Sequence, residues 1–166
     1  MPAFTVLLPA SRWRRTSAST HSSVPGSRTS RSRQALRLLL FATLEANCEG
    51  EYSEVGGRLY RDTPEEVAVQ QAAFSRKGCD RIMRYAFDLA GKRRRHVTSA
   101  TKSNGISISM PYWDERFAAM KANYPGVKTD QFHIDILCAH MVRHPDWFDV
   151  IVASNLFGDI LSDLAA

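Results

Sequence analysis

The chain has 166 residues with 44% hydrophobic and 10% aromatic content, enough for one domain with a real core and too much for a wholly unfolded one. No apolar run reaches the ~18–20 residues that span a bilayer, and the three cysteines (Cys48, Cys79, Cys138) lack the C-x-x-C spacing of a zinc ribbon or an even number for pairing, which favours reduced thiols and a cytoplasmic setting. The net charge of +5 is local: residues 1–40 carry seven arginines and no acid, while residues 41–166 carry 15 basic against 17 acidic side chains, so the folded part shows no nucleic-acid footprint.

In chain order, residues 1–40 come first. Their Ser-, Thr- and Arg-rich composition cannot bury enough apolar area to offset chain entropy, so a disordered or aberrant leader is expected, with an Arg-rich targeting segment as the alternative. "ALRLLLFATLEA" (35–46) fits a short helix or strand joining the two halves. "EGEYSEVGGRLYR" and "EEVAVQQAAFS" read as two strands around a turn marked by Gly56, Gly57 and Pro64. Cys79, Ile82, Met83, Ala86, Phe87 and Ala90 recur at helical spacing, with Gly91 as a stop. "RHVTSAT" reads as a strand followed by a "KSNG" loop. Pro111, Trp113, Phe117 and Met120 outline a second helix, ending near "NYPG". "KTDQFHI" is a strand and "DILCAHMVRHP" a helix; "WFDVIVAS" is a buried strand and "GDILSDLAA" a final helix. Strands alternating with helices predict an α/β fold.

Several residues carry possible chemistry, each beside a plainer reading. Asp159 and Asp163 share a helix face one turn apart, about 6 Å along the axis. Two carboxylates that close suit Mg²⁺ or Mn²⁺, or they are acids favoured by the helix dipole. Asp135 stands where a strand meets a helix, as a further oxygen ligand or an ordinary N-cap. Lys102, in a Gly/Ser/Asn loop after a strand, is a base or a solvated lysine. Tyr52 is a proton donor or a strand-packing tyrosine. His133 and His140 read as structural or surface residues, and "KRRR" (92–95) as a solvated helix end.

Taken together, "NCEGEYSEVGGRLYR", "HVTSATKSNGISISMPYWDERF", "FHIDILCAHMV" and "DVIVASNLFGDILSDLAA" resemble the metal-dependent β-decarboxylating dehydrogenases, the isocitrate/isopropylmalate dehydrogenase family. The resemblance covers residues 47–166, and "TKSNGISISMPYWDERF" is nearest the tartrate/D-malate type. It implies a partial isocitrate/isopropylmalate dehydrogenase-like fold over 41–166, mainly the smaller, dimer-forming domain plus one strand and helix of the larger one. It implies NAD-dependent oxidation, with decarboxylation, of a small 2-hydroxy acid by a homodimer, using Mg²⁺ or Mn²⁺ and in some members K⁺, with neither nucleic acid nor membrane as a partner. Residue by residue, Asp159 and Asp163 would hold the metal and Asp135 would join from the second subunit. Lys102, also from that subunit, would be the base; Tyr52 would be the proton donor, Asn104 would line the pocket and Asn155 would lie near the nicotinamide.

Three departures qualify this, the first being that the family's first strand and its upstream substrate-binding arginines are absent or unrecognisable in residues 1–46. The family's Arg-Glu-Asn stretch is Glu45-Ala46-Asn47 here, which sets a negative charge where a substrate carboxylate is held. The family's sequence beyond "LSDLAA", with its adenine-binding loop, has no counterpart. The expectation is a truncated or frame-disrupted product, and the alternatives are a non-catalytic dimerisation fragment or isopropylmalate/isocitrate specificity. The strand at 147–154 is expected to lack most sheet neighbours, leaving polar edges and a tendency to dimerise or aggregate.

Overall fold

A computed structural model describes Val6–Leu7, Leu40–Thr43 and residues 49–165. Apart from Val6–Leu7 and Leu40, the expected 1–40 leader lies outside the described residues, as do Glu45-Ala46-Asn47 and Cys48.

The elements in order are β1 (Val6–Leu7), β2 (Leu40–Thr43), β3 (Gly50–Leu59), β4 (Val67–Ala73), α1 (Arg76–Gly91), β5 (His96–Thr101), α2 (Ser109–Lys121), β6 (Lys128–His133), α3 (Ile134–Arg143), a 3₁₀ turn (Pro145–Trp147), β7 (Val150–Ala153) and α4 (Asn155–Ala165). The α/β expectation holds. Five strands form one sheet in the order β1-β2-β7-β5-β6, parallel except for β1, and β3 and β4 form a separate antiparallel hairpin.

Helix α1 forms where its spacing predicts. Ser75 caps it, accepting a hydrogen bond from Gly78 N–H at 3.0 Å, and its apolar stripe of Cys79, Ile82, Met83, Ala86, Phe87 and Ala90 is buried. On α2, Met110, Trp113, Phe117 and Met120 face the same core. Trp113 is fully buried and its Nε1–H donates to Ser99 Oγ on β5 at 2.9 Å, so the indole satisfies its one polar group inside the core. Arg116 grips Asp80 with two bonds of 2.7 and 2.9 Å, joining α2 to α1. Strands β5 and β7 are buried along their whole length, so both sheet faces are covered there, by α1 with α2 and by α3 with α4.

Two expectations are corrected. First, β7 does not lack sheet neighbours; it lies between β2 and β5, with Ile151 opposite Phe41 and Thr98. Second, "KRRR" is not a free helix end. Asp149 is fully buried, and Arg93 Nε (2.8 Å) and the Arg94 backbone N–H (2.9 Å) both donate to its carboxylate. The Arg94 guanidinium also donates to the Phe148 carbonyl. A charge out of water requires such partners, and they tie the end of α1 to the entrance of β7. His140 is structural as expected, its ring 5.3 Å from those of Phe132 and Trp147.

The hairpin also departs in detail. Gly56 and Gly57 lie inside β3, and the turn falls beyond Leu59, where Tyr60 and Asp62 take positive φ. Gly56 permits a close approach: a Cβ there would stand 2.0 Å from the Val69 carbonyl oxygen.

Candidate active site

In a parallel α/β sheet all strands end on one edge, where ligands commonly sit. Here β5, β6 and β7 run side by side in parallel, with Thr101 opposite His133, so the residues that follow them gather along that edge. Lys102 follows β5, Asp135 lies in the first turn of α3 after β6, and Asn155, Asp159 and Asp163 lie on α4 after β7.

The register brings Lys102 and Asp135 together: Nζ is 2.8 Å from Oδ1. That hydrogen bond is the main reason the Asp135 carboxyl titrates below its ordinary value. Asn104 is exposed in the turn after Lys102, which the Gly105 and Ile106 N–H groups close onto the Lys102 carbonyl.

The second pair joins β3 to α4. Tyr52 Oη donates to Asp159 Oδ2 at 2.8 Å. The bond to Asp159 raises the phenol above its usual range, helped by partial burial and by the charges of Asp159 and Glu51. Asp163 follows one turn along α4, and both aspartates are exposed. Among the described residues no lysine or arginine pairs with either. Asn155 is buried instead: Nδ2 donates to the Glu49 carbonyl at 2.9 Å, and among the described residues Oδ1 has no partner.

Asp159 and Asp163 offer oxygen donors on one rigid face, which suits a hard divalent cation. Among the described residues of one chain, however, no three His, Cys, Asp or Glu side chains gather into a metal-sized group. Each chain thus presents two separate pairs, phenol with carboxylate and amine with carboxylate.

Sequence reasoning missed Glu51. Ser154 Oγ donates to its Oε1 at 2.6 Å and Leu156 N–H to its Oε2 at 3.3 Å, so it caps α4 from another element. The signal available was an acid two residues after Glu49, in a strand directly ahead of Tyr52.

The profile described as isocitrate/isopropylmalate dehydrogenase matches residues 25–166. The chain belongs to the isocitrate/isopropylmalate dehydrogenase family. It is 61% identical over 125 residues to the D-malate dehydrogenase [decarboxylating] of Escherichia coli, covering 75% of this chain and 35% of that one. It is 61% identical over 126 residues to the tartrate dehydrogenase/decarboxylase of Pseudomonas putida, covering 75% and 34%. Among solved structures, isocitrate dehydrogenase from Methylococcus capsulatus superposes with a TM-score of 0.71 at 37% identity, over 77% of this chain and 38% of that one. The chain therefore spans about a third of the length of the curated family members it matches.

Proposed function

We propose that this chain carries the metal- and proton-handling part of an NAD-dependent, decarboxylating dehydrogenase acting on a tartrate- or D-malate-type 2-hydroxy acid, completed by a second copy of the chain. The observation that carries this reading is the pairing at the sheet edge, Tyr52 with Asp159 and Lys102 with Asp135, in four residues the family resemblance assigns to the reaction.

In this reading Asp159 and Asp163 hold a Mg²⁺ or Mn²⁺ ion, and Asp135 of the second copy joins them. Bound, the cation would ease loss of the substrate's hydroxyl proton and stabilise the negative charge that follows, while NAD would take up the hydride. Lys102 takes the hydroxyl proton. For that it must be the neutral amine; in the free chain its side chain is held by Asp135, and committing that carboxylate to a cation would remove the negative charge that favours the ammonium. Tyr52, as a phenol, keeps its proton at neutral pH, and Asp159 opposes ionisation further, so it would protonate the carbon from which CO₂ has left. Asn104, exposed beside Lys102, contacts the substrate or nicotinamide; Asn155 acts from below, through the backbone of residue 49.

A homodimer is supported by the hairpin. Val55, Leu59, Tyr60, Val67 and Val69 are all exposed on β3, β4 and their turn, more apolar surface than a two-stranded ribbon keeps in water by itself. On α3 and α4, Ile136, Val142, Ile160 and Leu164 are exposed as well.

The test is NADH formation from D-malate and from tartrates with Mn²⁺, with Lys102→Ala as control. Turnover is expected to fall by at least about 100-fold in the control, the usual scale for losing a positioned base. Equal turnover in both proteins would refute the assignment. No turnover in either, with dimers formed and Mn²⁺ bound, would favour a non-catalytic dimerisation role for the chain.

A further inference from the structure

Residues 49–52 form a strap between the N-termini of two helices. At one end Ser75 Oγ, the cap of α1, donates to Glu49 Oε1 at 2.8 Å, and Gly78 makes room for that carboxylate, since a Cβ there would lie 1.9 Å from Glu49 Oε2. At the other end Glu51 receives the Ser154 hydroxyl and the Leu156 N–H, one on each carboxylate oxygen. Asn155 Nδ2 binds the Glu49 carbonyl between them. Tyr52, the next residue of β3, then reaches Asp159 about one turn further along α4.

We propose that Glu51 is a positioning residue: its two-oxygen hold on the start of α4 fixes the register between β3 and α4 that sets the Tyr52 phenol on Asp159. The residue type follows from the donors. Both groups donate to Glu51, the Leu156 N–H being a donor only, and a negative charge is favoured at a helix N-terminus. Glutamine would turn an NH₂ toward one of them. A cap that merely stabilised α4 would leave the Tyr52–Asp159 bond in place when altered.

The effect on metal affinity rests on reading Asp159 as a ligand; the clamp itself does not. The experiment uses the full chain with ¹³C-labelled tyrosine and no metal, the Tyr52 signal being assigned with Tyr52→Phe. Asp159→Asn shifts that signal, because the phenol loses its carboxylate. In Glu51→Gln the signal is expected to be displaced already, and adding Asp159→Asn moves it by less than half the original shift. In a second arm, Mn²⁺ titrated into the same proteins is expected to bind about tenfold more weakly to Glu51→Gln, the scale seen when groups that orient metal ligands are lost. Tyr124→Phe, which removes a remote bond to Asp88, is the control and alters neither reading. A folded Glu51→Gln protein with a full Tyr52 response to Asp159→Asn, whether or not its melting temperature falls, overturns the proposal. If Glu51→Gln does not fold, Ser154→Ala removes one of the two bonds and is judged by the same tyrosine response. Unchanged Mn²⁺ binding in Asp159→Asn and Asp163→Asn would defeat the metal reading alone, and the tyrosine signal would still decide the role of Glu51.

Discussion

The five-stranded sheet and the β3–β4 hairpin obey opposite rules. In the sheet, β5 and β7 are buried end to end, and even their polar groups have been taken inside, as with Ser99 under Trp113. In the hairpin almost every residue beyond Ser53 is exposed, the valines included. The first region is stabilised by what it buries within one chain, so its residues answer to folding. The second buries little by itself, so its residues answer less to folding, and the candidate site lies where the two regions meet.

Substitutions can break that contrast. The largest effect is expected from Trp113→Ala, which leaves a cavity and strands the Ser99 hydroxyl; unfolding in urea should show a loss of about 4 kcal/mol. Asp149→Ala should follow at about 3 kcal/mol by the same measurement, because it removes the buried partner of Arg93 and Arg94, whose own exposure softens the loss. Leu59→Ser and Val69→Ser reverse the pattern. Each should change unfolding of the isolated chain by no more than about 0.5 kcal/mol, while sedimentation shows a weaker dimer. Unchanged association would separate the hairpin from assembly.

The smallest effect concerns Cys79, which burial, then the charges of Glu49 and Asp80, push from 9.0 up to about 12. The unfolded thiol ionises near 9 and the folded one near 12, so stability is fully present below pH 9 and declines as pH rises from there toward 12. Alkylation at pH 8 should therefore spare Cys79 in the folded chain and modify it after unfolding, as mass mapping of the peptide would show.

Much of this was legible in the sequence. Apolar spacing located α1 and α2, and the alternation of strands with helices gave the class, because local periodicity reports directly on a buried face. The spacing of Asp159 and Asp163 placed them on one face of a helix, and it was the family wording that joined them to Tyr52, Lys102 and Asp135. What stayed hidden were partnerships across long sequence separations. "KRRR" looked solvated because its acid, Asp149, lies more than fifty residues away. Glu51 looked like an ordinary strand residue because the helix it caps begins about a hundred residues later. The neighbours of β7 were missed for the same reason: periodicity announces a strand and says nothing about who lies beside it.

Gly56 shows where this leads. Its backbone faces open water, the setting in which residue identity ordinarily drifts at little cost, yet the crossing carbonyl of Val69 leaves no space for even one methyl group. Accessibility at this spot confers no tolerance, and an alanine there would wedge the ribbon apart.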